Sequence, residues 1–197
     1  MAAGCYPNAM NSWNINAITV GVLKGHFGWV KKILDYRSID VNCKDDNGRT
    51  LLITSLNSIS DSTYDFLKLL LEEKGADPNI ADLAGWTPFH HMCKLSADHI
   101  TANMGYNKKK GKTGFMEKKT KAYKKIYEKS KKLYFSIIRL LIDNGADVNK
   151  VTNNGESGLM IAFTLSMPDV NLVCAKFLIN EVKGIDLTIK SKSGKSV

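Results

Sequence analysis

Apolar clusters of helical length alternate along this chain with polar, glycine-bearing turns, and one arrangement returns several times. Lys68-Leu69-Leu70-Leu71-Glu72-Glu73-Lys74-Gly75-Ala76-Asp77-Pro78-Asn79 aligns with Arg139-Leu140-Leu141-Ile142-Asp143-Asn144-Gly145-Ala146-Asp147-Val148-Asn149. Lys31-Lys32-Ile33-Leu34 through Ile39-Asp40-Val41-Asn42 matches more loosely, and Lys176-Phe177-Leu178-Ile179 through Gly184-Ile185-Asp186-Leu187-Thr188 keeps the same order. Six residues beyond each stands a glycine (Gly48, Gly85, Gly155, Gly194), and two positions further a hydroxyl residue (Thr50, Thr87, Ser157, Ser196). The glycine permits the positive φ of a tight turn. The hydroxyl suits a helix N-cap, where its oxygen accepts an orphan backbone N–H, and Pro88 suits a first helical position that has no donor to lose. Leu69, Leu70, Leu71, Ile138, Leu141, Phe177 and Leu178 fall where a second helix faces its neighbours, which predicts core.

Thr87-Pro88-Phe89-His90 is the best copy of a helix-opening signature that Thr50-Leu51-Leu52-Ile53 and Ser157-Gly158-Leu159-Met160 repeat in degenerate form, and Asn16-Ala17-Ile18-Thr19 with Gly25-His26 gives an earlier copy. On these residues the chain resembles the ankyrin-repeat family, whose unit is a β-turn and two antiparallel helices with a period of about 33 residues. The resemblance implies an all-α dominated repeat solenoid of helix-turn-helix units joined by β-turn or hairpin loops. Starts at 16, 50, 87, 157 and 196 give repeats near 16–49, 50–86, 87–156 and 157–195 within a domain at 14–195, after a leader at 1–13. Residues 196–197 then read as the start of a truncated fifth repeat, which implies either a fragment or isoform of a longer array or an end left frayed. Such units bury their apolar faces only against one another, so at least three are needed. His90 is expected to hydrogen-bond within its own turn.

The third repeat is too long. Its first helix ends near Lys94-Leu95 and its second recovers only at Ile137-Ile138, so about 37 extra residues intervene beyond the family period. A structureless loop of that length is improbable in a compact unit. The insertion, 96–132, divides in two: Ser96 to Lys112 carries Asn103, Gly105, Asn107 and Gly111 and no periodicity, which predicts mobile chain. From Met116 through Tyr123, Ile126, Tyr127, Leu133 and Tyr134 to Leu141 the apolar residues recur at three- and four-residue steps. That predicts a helix opening at Thr113 or Gly114, closing at Gly145, and running up to roughly 30 residues or ~45 Å.

Charge sharpens this picture. The formal net charge is +9, yet Lys108 to Lys132 holds twelve lysines against two acids, while the remainder has sixteen basic and seventeen acidic residues. The excess therefore belongs to one arm: Lys108, Lys109, Lys110, Lys112, Lys118, Lys119, Lys121, Lys124 and Lys125, among others. Lys108-Lys109-Lys110-Gly111-Lys112 resembles a nuclear-import signal, and the stripe resembles a basic amphipathic helix for acidic surfaces or calmodulin. Nucleic acid is a further alternative, and the absence of arginine from the segment predicts non-specific, salt-sensitive contact. The other reading is a solvated helix face.

Composition excludes several classes. The N-terminus lacks a charged region followed by an apolar stretch, Ala2 rules out myristoylation, and no apolar run approaches a bilayer span. Cys5, Cys43, Cys93 and Cys174 form no C-x-x-C pair, which predicts free thiols and an intracellular protein, cytoplasmic or nuclear. Gly111-Lys112-Thr113 and Gly194-Lys195-Ser196 mimic a phosphate loop, but Tyr106 and Ile189 stand where its leading glycine belongs. His90-His91-Met92-Cys93 has no second pair of metal ligands. Neither catalysis, metal nor cofactor is expected.

The family resemblance implies a protein partner lying across the turn tips and the exposed ends of the first helices. Carried over residue by residue, these are Asp46, Asn47, Arg49, Leu83, Ala84, Trp86, Asn153, Asn154, Glu156, Lys192 and Lys195 on the tips, with Asn57, Lys94 and Thr164 near helix ends. Trp86 is the expected anchor, since an exposed indole offers large apolar area at small entropic cost. The resemblance also marks Asn42 and Asn149 as candidate hydroxylation sites, each preceded by Asp-Val; Pro78 makes Asn79 a poorer match. The alternative to a protein-binding scaffold is an adaptor whose basic insertion binds nucleic acid, acidic lipid or an acidic protein.

Overall fold

The computed structural model describes residues 17–35, 39–94, 121–164 and 171–196. The helices are α1 (Ala17–Leu23), α2 (Phe27–Leu34), α3 (Leu51–Ser55), α4 (Asp61–Lys68), α5 (88–94), α6 (Lys121–Asp143), α7 (Gly158–Thr164) and α8 (Asn171–Glu181). Among the described residues there is no strand, only an isolated antiparallel bridge between Val151 and Ser157. The chain divides into two compact units, one of Met1–Pro88 with Leu140–Asp147 and one of Phe89–Arg139 with Val148–Val197.

In the first unit α1 packs on α2 and α3, and α2 and α3 pack on α4. The helices start where hydroxyls permit: Thr50 Oγ1 accepts from the Ile53 amide, and Ser60 Oγ from the Thr63 amide. Val30, Leu52, Leu67 and Leu70 form the core, and the Phe27 and Phe66 rings stack at 4.9 Å. In the second unit α7 packs on α8, with Ser157 Oγ capping α7 through the Met160 amide. Here Phe89, Met92, Ile137, Ile138 and Leu178 are buried. All seven positions expected as core from the aligned segments are buried, none more than 8% exposed.

One difference between the aligned segments has a structural answer. The glycine follows Lys68 by seven residues but follows Arg139 by six. The extra residue is absorbed where α4 passes into a π-helical turn at Leu69–Glu73, in which the Lys74 amide donates to Leu69 O at 3.1 Å. Ala76 N then reaches back six residues to Leu70 O, whereas Ala146 N reaches back five to Leu141 O. A π turn takes up one residue without breaking the helix, so Leu69, Leu70 and Leu71 stay inward and Gly75 still closes the helix at φ +71°.

α6 accounts for the apolar stripe of the insertion: it is a continuous 23-residue helix that carries lysines at its N-terminal end and core residues at its C-terminal end. The expected helical positions before Lys121, and the expected mobile stretch Ser96 to Lys112, lie outside the described residues.

After the second helices the loops are tied by one repeated device. Asn42 Nδ2 donates to Gly75 O at 3.2 Å while its Oδ1 accepts from Asp77 N at 2.9 Å. Asn79 does the same to Gly145 O and Asp147 N, at 2.8 and 2.7 Å. In the second unit Asn149 bonds Gly184 O and Asp186 N, at 2.7 and 2.8 Å. The acid two residues earlier builds each turn: Asp40 and Asp77 accept the amides of Asn42 and Asn79. Asp186 accepts both hydroxyl and amide of Thr188, and the hydroxyl bond first, then the amide bond, holds its carboxyl below the usual carboxylate range.

Asn149→Ala leaves Gly184 O and Asp186 N without their side-chain partner. The expected loss is about 1–2 kcal/mol, small for two bonds because the site is solvent-accessible. Urea titration reads it as a lower midpoint at constant slope; an unchanged midpoint would show the clamp to be ornamental.

Candidate functional site

The turn tips are four copies of one hydrogen-bonded turn. Its first residue donates its amide to the carbonyl four positions on and accepts the amide three positions on: Asp45 with Arg49 and Gly48, Asp82 with Trp86 and Gly85, Thr152 with Glu156 and Gly155, Ser191 with Lys195 and Gly194. The side chain of that residue fills the turn. Asp45 Oδ1 takes the amides of Asn47 and Arg49, Asp82 Oδ1 those of Ala84 and Trp86, and Thr152 Oγ1 those of Asn154 and Glu156. Ser191 Oγ takes that of Lys195. With the backbone so occupied, the remaining side chains of each tip are held outward on a rigid support.

The glycines do two jobs. Gly48, Gly85, Gly155 and Gly194 all have φ between +73° and +79°, as the turn requires. Two of them also sit against the next tip. In the first unit Leu83 N donates to Asn47 O at 3.0 Å, and a Cβ on Gly48 would lie 2.8 Å from Leu83 N. In the second unit Lys192 N donates to Asn154 O at 2.9 Å, and a Cβ on Gly155 would lie 2.9 Å from Lys192 N.

Of the residues expected to meet a partner, Asp46, Asn47, Leu83 and Ala84 are exposed in the first unit, as is Asn57 just after α3; Arg49 is half-buried. In the second unit Asn153, Asn154, Lys192, Lys195, Lys94 and Thr164 are exposed, and Glu156 is half-buried. Trp86 differs from expectation. It closes the base of its turn, with backbone N and O both bonded to Asp82, so its indole is half-buried beside the turn rather than exposed at its apex. The apex belongs to Leu83, 72% exposed.

His90, expected to bond inside its own turn, is fully buried and places Nε2 2.9 Å from Lys150 O, a loop 60 residues on. Of the basic arm, Lys108, Lys109, Lys110, Lys112, Lys118 and Lys119 lie outside the described residues, as do the side chains of Lys121 and Lys124 on α6; Lys125 is exposed. Asn42 and Asn149 both spend their amide groups in the loop clamps, and so does Asn79 despite Pro78.

Two features were not legible in the sequence. Val20, Leu23 and Trp29 are exposed on α1 and α2, and Val20 and Trp29 line a cavity of about 700 Å³ with Ala17, Gly21 and His26. Periodicity marks these residues as apolar but not as outermost. Cys93 and Cys174, 81 positions apart, meet in the second core, where Tyr134 donates its hydroxyl to Met92 O and lies 3.2 Å from the Cys174 sulfur. Burial, then the hydrogen bond with Cys174, pushes the Cys93 thiol well up. A thiol so held stays protonated and is a poor nucleophile. Among the described residues no three His, Cys, Asp or Glu side chains converge as metal ligands, and no helix is long and apolar enough to cross a membrane.

No family model matches the chain. Over 86 residues, 41% of its length, it is 35% identical to poly [ADP-ribose] polymerase tankyrase of Caenorhabditis elegans. The match spans 4% of that protein.

The tip geometry separates two glycine variants. Gly25 has φ +73° but open space around it, so Gly25→Ala carries only left-handed strain of roughly 1–2 kcal/mol. Gly48→Ala adds a collision with backbone, expected to cost a further ~1–3 kcal/mol. Equal urea midpoints for the two variants would contradict the tip-to-tip contact.

Proposed function

We propose that the chain is an ankyrin-repeat module, without catalytic activity of its own, that holds another protein on its turn tips and the adjoining ends of its first helices. Support comes from the turn geometry recurring four times, from the loop clamps recurring at the aligned asparagines, and from the identity to the tankyrase segment. The observation that carries the reading is Leu83. A large apolar side chain left 72% exposed on a tip whose backbone amides are all bonded costs little entropy to bury against a partner. Exposed Asn47 and half-buried Arg49 on the neighbouring tip supply polar contacts beside it. This is the arrangement of an apolar anchor with a polar rim.

Leu83→Ser should leave the urea midpoint near wild type, since the side chain has little to lose on the surface, and should weaken binding to a captured partner by ~2 kcal/mol if the residue is a hot spot. Trp86→Ala should cost both stability and affinity, because the half-buried indole supports the turn. A partner that binds the Leu83 variant at full strength, together with the wild-type midpoint, would move the site away from this tip.

A second reading, an adaptor for polyanions, is favoured by α6, whose first three turns are rich in lysine and which exposes Lys125 and Lys132. Affinity for heparin should then fall steeply between low and physiological salt. It should vanish on deletion of 96–132, a cut that leaves the buried Tyr134, Ile137 and Ile138 in place. Heparin retention that survives the deletion, measured on a salt gradient, would exclude the arm.

A further inference from the structure

The second unit carries a groove that the tip surface does not use. It lies between α6 and α8 and has a volume of about 280 Å³. Lys131, Phe135 and Arg139 follow one another at four-residue steps on one face of α6, and Val173, Phe177 and Glu181 do so on α8. Residues so spaced stand above one another on a helix. The floor is apolar: the Phe135 and Phe177 rings stack at 4.1 Å and 9°, and Val173 beside them is half-buried.

Its charges are not balanced. At one end Arg139 sits over the Phe177 ring and pairs with Glu181 at 3.2 Å, so the acid of the groove is already neutralised. Lys131 and Lys176 also line the groove, and neither ammonium has a hydrogen bond or ion pair among the described residues. Two unpaired cations beside an aromatic floor are complementary to carboxylates flanking a bulky apolar side chain.

We propose that this groove binds an acidic peptide segment of a partner protein, with one apolar side chain laid on Phe135, Val173 and Phe177 and flanking carboxylates on Lys131 and Lys176. The proposal is independent of the tip surface and stands or falls on the second unit alone. It also differs from polyanion binding by α6, which needs charge and no anchor.

Fluorescence anisotropy of the full chain with a short labelled peptide of glutamates around a central leucine tests it. Two control peptides replace the leucine by serine or the glutamates by glutamine. Both controls should bind at least about tenfold more weakly, and Lys131→Glu/Lys176→Glu should weaken the glutamate peptide by a similar factor while circular dichroism and urea midpoint stay at wild type. Val173→Ser, a change at a half-buried position that spares the aromatic stack, should weaken the leucine peptide and leave the serine peptide unaffected. The proposal is overturned if the leucine peptide fails to bind, if the double charge reversal leaves its affinity unchanged, or if leucine and serine peptides bind alike. Heparin competing equally against both peptides would assign the lysines to polyanions instead.

Discussion

A carboxamide that donates to one loop carbonyl and accepts one loop amide fixes the spacing between successive loops in each unit. Asn42 and Asn79 do this in the first unit and Asn149 in the second, each gripping a glycine carbonyl and the amide of an aspartate two residues later. Asparagine is suited to the task because its amide presents donor and acceptor side by side, matching a C=O and an N–H on one stretch of backbone. Aspartate has no donor, and glutamine would move the pair outward by a methylene. Asp77 extends the device: its amide is gripped by Asn42 while its carboxylate shapes the turn that carries Asn79, the next residue of the series. In the last loop Thr188 holds that place, bonded to Asp186.

With loop spacing set, helix geometry has to conform to it, and the π turn at Leu69–Glu73 shows how. One residue more than the aligned segment would rotate everything after it by about 100° on a 3.6-residue helix. Widening a single turn instead keeps the leucines inward and delivers Gly75 O and Asp77 N to Asn42. Packing of glycine positions obeys the same economy of space. Gly158, at the start of α7, would place a Cβ 2.5 Å from the Phe89 ring, so the degenerate helix opening there is a consequence of the large aromatic side chain beside it.

The surfaces follow from what is left over. Turn backbones that are bonded internally present their side chains without adapting to a partner, which favours binding through small loss of entropy. The groove between α6 and α8 arises differently, from two helices whose facing aromatic residues stack while Lys131 and Lys176 have no counter-ion among the described residues. Interior polar groups serve neither surface. His90 ties α5 to the loop at Lys150, and Tyr134 satisfies Met92 O beside the Cys174 sulfur.

Spacing alone determined the helical architecture, the capping hydroxyls at Thr50 and Ser157, the positive-φ glycines and the seven buried positions, because each depends on a residue and its neighbours within a turn or two. It also marked Asp-x-Asn as recurrent and read the lysine-rich stretch from Lys121 as continuous with the helix that follows. It expected Trp86 to be exposed on a tip together with Leu83, whereas only Leu83 stands well out, since which residue of a turn points out depends on bonds to Asp82 made by the backbone. It gave no sign of the bond from His90 to Lys150, which spans 60 positions. The meeting of Cys93 with Cys174, the unbalanced charge at Lys131 and Lys176, and the partners of each asparagine are contacts between segments distant in sequence. Such contacts exist only once the loops have been brought to a fixed separation, and that separation is decided by tertiary packing.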